Sequence, residues 1–146
     1  MRLLQPLGLA LAMPILAGAP AAGNAHADAL NKAFVAAFTK GDAAATADCY
    51  TQDAELLFFK GSTFKGRDAI RNFLVEFFKG TMVKSLTVTS EETHSMGGAL
   101  LDIGHYEMTT VDKDGKEETS RARYLQVLTK GKDGKWRYFR DCPLPD

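Results

Sequence analysis

The sequence predicts an α+β domain, with helices first and a sheet after them. Three observations predict it. Ile70, Phe73, Leu74, Phe77 and Phe78 recur at the i, i+3, i+4, i+7, i+8 spacing of a helix with one wide apolar stripe. From residue 83 onward the chain is rich in Thr and Val and is cut by Gly97-Gly98, Asp114-Gly115 and Asp133-Gly134. Several strands joined by such turns make an antiparallel meander. Helices that precede strands, rather than alternate with them, argue against a parallel α/β fold.

The chain opens on a segment that is expected to lie outside this domain. Arg2 supplies a minimal positive region, Leu7 to Leu16 an apolar region interrupted by Pro14, and Ala25-His26-Ala27 a small-residue cleavage site. Residues 1–27 therefore read as a signal peptide cut between Ala27 and Asp28. The expected destination is a periplasm or the cell exterior. The apolar run is too short and too interrupted to span a membrane, so no membrane partner is expected after cleavage. The remaining 119 residues suffice for one domain with its own core. Without Arg2, 17 basic residues face 18 acidic ones, with no basic cluster, which excludes nucleic acid as an expected partner.

Each element follows from local pattern. Asp28 to Lys40 reads as a helix with Leu30, Phe34, Ala37 and Phe38 on one face and Gly41 as its stop. Asp42 caps a second helix from Ala43 to about Tyr50. Thr51-Gln52-Asp53 breaks the pattern, and Asp53 reads as a turn-capping residue. Leu56 to Phe59 is apolar on both strand faces, and Gly61-Ser62 turns the chain back through Thr63-Phe64. Asp68 then sits in the first turn of the striped helix, which Gly80 ends. The meander strands are expected at 83–93, 99–111, 119–129 and 135–141. In the last, simple alternation sets Trp136, Tyr138 and Arg140 on one face and Arg137, Phe139 and Asp141 on the other. Aromatics on both faces mark this strand as central.

No P-loop, dinucleotide fingerprint, zinc-finger spacing or nucleophile elbow occurs, so no cofactor and no metal are expected. Cys49 and Cys142 stand 93 positions apart. A disulfide between them is one reading, worth about 4 kcal/mol by chain entropy; two separate buried thiols is the other.

Taken together, several runs resemble one known family. They are Tyr50-Thr51-Gln52-Asp53-Ala54-Glu55-Leu56, Phe64-Lys65-Gly66-Arg67-Asp68-Ala69-Ile70, Gly104-His105-Tyr106, Arg123-Tyr124-Leu125, Asp133-Gly134-Lys135-Trp136-Arg137 and the closing Arg140-Asp141. In this order, over nearly all of residues 28–146, the chain resembles the SnoaL-like, ketosteroid isomerase-like small proteins of the nuclear transport factor 2-like superfamily. The resemblance implies a cone: a curved antiparallel sheet wrapped round three N-terminal helices, with a pocket at its wide end. It also implies a homodimer formed through the outer sheet face. The family includes isomerases, dehydratases, hydrolases and non-enzymes, so fold alone does not set function.

Within such a cone Asp141 is the leading acid/base candidate, because an apolar pocket raises a carboxyl pKa toward working pH. A hydroxyl from Tyr124 or Tyr138 is expected beside it, since a buried carboxylate needs partners. His105 is the second catalytic candidate. Tyr50, Phe58, Tyr106, Tyr124, Gln126 and Phe139 are the expected pocket walls. Arg121, Arg123, Arg137 and Arg140 are expected to pair with Asp102, Glu107, Glu117 and Glu118. Three functions follow. The first is an exported binder of a small, largely apolar molecule. The second is an acid/base enzyme of isomerase, dehydratase or hydrolase type using Asp141 with a tyrosine or His105. The third is a non-catalytic dimeric interaction module whose cone is plugged by Phe58, Phe73 and Phe77.

Overall fold

A computed structural model describes residues 23–58 and 60–145. Three helices, α1 (Ala25–Thr39), α2 (Ala43–Ala47) and α3 (Arg67–Gly80), pack on one six-stranded sheet. The strands are β1 (Tyr50–Leu57), β2 (Thr63–Lys65), β3 (Thr81–Ser95), β4 (Ala99–Asp112), β5 (Glu117–Lys130) and β6 (Trp136–Pro145). Their order is β2-β1-β6-β5-β4-β3. The meander β3 to β6 is antiparallel throughout, and β1 pairs with β2 as a hairpin. The sheet is not wholly antiparallel, however, because β1 runs parallel to β6. This contact joins the first strand to the last, with α3 and the meander between them in sequence. It makes β6 an interior strand, with β1 on one side and β5 on the other.

Two helix ends are set by local chemistry. The Asp42 side chain accepts from the Ala45 amide at 2.9 Å and caps α2. Gly41, at φ 71°, makes the left-handed turn that separates α1 from α2. The second helix is shorter than expected and β1 starts earlier, at Tyr50. The reason lies in backbone clamps. The Arg67 guanidinium donates to the Tyr50 carbonyl through Nε at 2.8 Å and Nη2 at 2.6 Å, and Tyr138 N–H donates to the Cys49 carbonyl at 2.9 Å. The carbonyls of Cys49, in the turn after α2, and of Tyr50, at the start of β1, thus find partners that a continued helix would not offer. Asp53 lies within β1 and accepts from the Thr51 hydroxyl at 2.9 Å, so it is a strand residue and not a turn cap.

Residues 1–22 of the expected signal peptide lie outside the described residues, as does Phe59 of the first expected strand. The proposed boundary between Ala27 and Asp28 falls in the first turn of α1. There Asn24 caps the helix by accepting from His26 N–H at 2.9 Å, His26 stacks on Trp136 at 5.3 Å, and Ala27 is fully buried.

The core lies between helices and sheet, around Leu30, Ala47, Leu56, Ile70, Leu74, Leu100 and Leu128. On α3 the stripe divides. Ile70 and Leu74 are 0% and 3% exposed, whereas Phe73 and Phe77 are only half-buried. The fully sealed rings are instead Tyr124 and Tyr138, on strands.

Candidate functional site

A chamber of about 190 Å³ opens between the helices and the inner sheet face. Its walls are the rings of Phe34, Phe38, Phe58, Phe73 and Phe77, the aliphatic chains of Leu56, Leu86 and Val88, and Tyr50, Tyr106, Tyr124 and Tyr138. The carboxyl of Asp141 and the amide of Gln126 supply its acid–amide pair. A larger groove of about 430 Å³ lies elsewhere, where the ends of α1 and α3 meet β3 and β4; Lys40, Lys79 and Lys113 line it and no buried acid does.

Asp141 reaches the chamber because β6 is bulged. Val127 pairs with Arg140 but Leu128 pairs with Tyr138, so Phe139 is skipped. The extra residue reverses the alternation expected from sequence. Tyr138 and Asp141 therefore share the inner face, opposite Leu128 and Gln126. Two expectations are corrected by this one residue. Phe139 does not line the chamber: its ring carries the Arg140 guanidinium at 3.8 Å. Trp136 and Tyr138 do not face away from the helices; Trp136 packs against the core and Tyr138 is 1% exposed within it.

Both carboxyl oxygens of Asp141 are engaged. Tyr50 O–H donates to Oδ2 at 2.6 Å and Gln126 Nε2 donates to Oδ1 at 3.0 Å. The hydroxyl partner is thus Tyr50, not the expected Tyr124 or Tyr138. Burial, with Asp141 only 6% exposed, pushes its pKa above the ordinary carboxylate value, and the Tyr50 and Gln126 hydrogen bonds oppose that rise. Burial and the neighbouring Asp141 charge push the Tyr50 phenol well above its usual range, so it stays a neutral donor.

A second buried acid sits behind the chamber wall. Asp102 is fully buried and meets no arginine, contrary to the expected ion pair. It accepts from Tyr124 O–H at 3.0 Å, Asn31 Nδ2 at 3.3 Å, Thr93 Oγ1 at 3.2 Å and the Ser90 hydroxyl. Asn31 in turn accepts from Tyr138 O–H at 2.5 Å. Asp102, Gln126 and Asp141 stand in one row across β4, β5 and β6. Sequence reasoning missed Asp102, Asn31, Ser90 and Thr93. One signal was available: Asp102 is two residues from Gly104, and glycine inside a strand marks a close approach by another group.

His105 lies on the outer face, where its Nδ1 is 2.9 Å from Glu91 on β3, outside the chamber. Alternation along β4 turns Tyr106 inward instead. Of the arginines, Arg121 pairs with Glu107, Arg137 with Asp133, and Arg140 lies 3.8 Å from Glu55. Cys49 and Cys142 are free thiols, which corrects the disulfide reading. Cys49 is level with Tyr138 through the backbone bond between them, and Cys142 is four residues farther along β6. That places them about 13 Å apart at ~3.3 Å per residue, beyond bridging range. Burial first, then the Asp48 charge, raises the Cys49 thiol to about 11.

A family model described as a SnoaL-like domain matches residues 31–139. No curated protein matches the chain. Among solved structures, a ketosteroid isomerase-like protein from Erwinia carotovora atroseptica is similar at 21% identity and TM-score 0.72, over 82% of this chain and 92% of that one. A putative calcium/calmodulin-dependent protein kinase II association domain from Xanthomonas campestris is similar at 29% identity and TM-score 0.65, over 89% and 94% of the two chains. A Catenulispora acidiphila protein solved in complex with S-DNPA is similar at 19% identity and TM-score 0.70, over 82% and 91%.

Proposed function

This chain belongs to the SnoaL-like domain family, and we propose that its cone binds a small, largely apolar molecule through one polar group held at Asp141. The observation that carries this reading is a buried carboxyl, beside the Gln126 amide, facing a largely aromatic and aliphatic chamber. Few, well-placed polar groups in an apolar concavity are the signature of a ligand site. At about 190 Å³ the chamber is below the roughly 300–1,000 Å³ of drug-sized sites, so the ligand is a molecule of one or two rings. A neighbour of the same fold, the Catenulispora protein, carries S-DNPA. A chamber of this size argues against a cone plugged by Phe58, Phe73 and Phe77, which stand in its wall.

The test is a fluorescence titration with 2-naphthol, a two-ring molecule with one hydroxyl. Saturable binding is expected, weakened about tenfold or more in Asp141→Asn and abolished in Val88→Trp, which fills the chamber. Absence of saturable binding, or binding indifferent to Val88→Trp, overturns the reading.

A second reading, acid/base catalysis, is favoured by one specific distance. Tyr50 and Asp141 are two proton-handling groups 2.6 Å apart in one chamber, as general acid–base chemistry requires. A raised carboxyl pKa suits proton abstraction next to a carbonyl. Deuterium exchange at the ring carbon beside the carbonyl of 2-tetralone, followed by mass spectrometry, measures it. Exchange that Asp141→Asn abolishes supports catalysis; exchange at the solvent rate leaves the binder.

We also propose export through the first 27 residues, supported by their charge and apolar pattern. A homodimer through the outer sheet face is proposed as well, supported by Leu125, 37% exposed, beside half-buried Leu101, Ile103 and Val127.

A further inference from the structure

Three buried tyrosines line the chamber, yet only one of them gives its hydroxyl to an acceptor that also lines it. Tyr50 O–H bonds Asp141, which lines the chamber. Tyr138 O–H bonds Asn31 and Tyr124 O–H bonds Asp102, and neither acceptor lines it. For Tyr124 this takes special construction. Its phenol crosses from β5 to reach an acid two residues along β4 from its own register partner, Gly104. A Cβ at position 104 would meet Tyr124 Oη at 2.7 Å and Cζ at 2.8 Å, and the Thr89 carbonyl at 2.0 Å. Gly104 has no positive φ, so its glycine is explained by space and not by backbone conformation. The end point is equally built. Asp102 is 0% exposed, and its other acceptor sites are filled by Asn31 from α1 and Ser90 and Thr93 from β3.

We propose that Gly104 and Asp102 form a latch that draws the Tyr124 hydroxyl out of the chamber and so sets its specificity: ligands with one polar group are taken, and ligands with a second hydroxyl on the Tyr124 side are refused. Asp102 is then a positioning residue, acting through Tyr124. The inference rests on the chamber being a ligand site and names the class it selects. The refusal has a simple cause. A hydroxyl pushed against the latched ring loses water and gains no partner. Released, the Tyr124 hydroxyl becomes that partner.

The experiment compares 2-naphthol with 2,6-dihydroxynaphthalene. The folded chain should bind the diol roughly tenfold or more weakly than the mono-ol. Asp102→Leu, of similar size but without an acceptor, should bring the ratio down several-fold. Asp102→Leu combined with Tyr124→Phe should restore it, because no hydroxyl is left to release. A ratio unchanged by Asp102→Leu, or an equal fall with and without Tyr124→Phe, overturns the latch and points to loosened packing. A second readout needs no ligand and a gentler variant. Burial first, then the Asp102 charge and hydrogen bond, raises the Tyr124 phenol pKa. In protein labelled at tyrosine Cζ, with Tyr124→Phe assigning the signal, Asp102→Asn should move the onset of Tyr124 ionisation to lower pH. If neither naphthol binds, the ligand-site reading fails, and an unmoved Tyr124 titration overturns the latch on its own.

Discussion

Replacing Asp141 by asparagine separates a pocket acid from a structural pin through the pH dependence of stability. Two contributions oppose each other in the folded protein. Hydrogen bonds from Tyr50 at 2.6 Å and Gln126 at 3.0 Å favour the carboxylate, and bonds to charged groups are worth about 1.5–3 kcal/mol each. Burial disfavours it, and burial is the larger, since the folded pKa is raised. Between the ordinary value of 3.8 and the raised folded value, the native state holds more protons than the unfolded one. The stability contributed by this group is therefore fully present below the unfolded pKa and is lost as pH rises through the window. The loss is up to about 1.4 kcal/mol per pH unit within the window. Asparagine does not titrate, so Asp141→Asn lacks this slope. It also keeps both neighbours bonded. Its oxygen accepts from Tyr50, and its amide donates to Gln126 once that side chain turns its now unpartnered Oε1 inward. Urea unfolding of both proteins from pH 4 to pH 7 reads the difference. Asp141→Asn should gain on the wild type as pH rises and be at least as stable at pH 7. Parallel curves, or a wild type that gains with pH, would refute the account; so would a loss of 1–3 kcal/mol at pH 7, the mark of a carboxylate that pins the strand.

Other outcomes follow from burial and spacing. Leu74→Ala should cost about 2–5 kcal/mol, because Leu74 is 3% exposed. Phe73→Ala should fall below the ~3–5 kcal/mol of a sealed phenylalanine site, since its volume opens into the chamber; chemical denaturation decides, and a larger loss at Phe73 reverses the assignment. Thiol titration of oxidised, denatured protein should count two free thiols, and none would mean a bridge. In the native state at pH 8 Cys49, held at about 11, should resist iodoacetamide, while half-buried Cys142 reacts first. A chain starting at Asp28 lacks the Asn24 cap and buried Ala27 and should be less stable by about 1 kcal/mol or more than one starting at Gly23; equal stabilities would show that the first turn of α1 is dispensable. Light scattering of either chain at tens of micromolar should give twice the monomer mass, and a monomer there removes the outer-face interface.

What the sequence made legible was whatever depends on local period. The stripe on α3, the glycine-marked turns and the helix-before-sheet order need only neighbours within one or two turns of chain. The parallel contact of β1 with β6 needed more, because Tyr50 and Tyr138 meet across most of the chain and no local signal announces their register. The start of β1 was hidden for the same reason. Tyr50 reads as the end of an alanine-rich helix until Arg67 and Tyr138 claim the backbone beside it.

The site shows how a single residue governs what alternation can reveal. Along β5, where no extra residue intrudes, alternation correctly joins Tyr124 with Gln126 on the inner face. Along β6 the unpaired Phe139 reverses it, so Asp141 keeps company with Tyr138 rather than with Phe139. Asp141 was therefore found through its strand-end position and its chemistry, not through its face. Asp102 was lost by the opposite route. An acid on a strand beside arginines reads as an ion pair, and only three-dimensional packing shows its arginine-free burial with four donors from three elements. Buried acids without a cation are costly unless fully hydrogen-bonded. Two of them in one row, with Gln126 between them, are hard to account for by stability alone. One faces the chamber with a raised pKa, and the other removes a tyrosine hydroxyl from the wall. Together they leave a largely apolar cavity with a buried acid–amide pair at Asp141 and Gln126, and that pair is where a ligand's hydroxyl or carbonyl would be recognised.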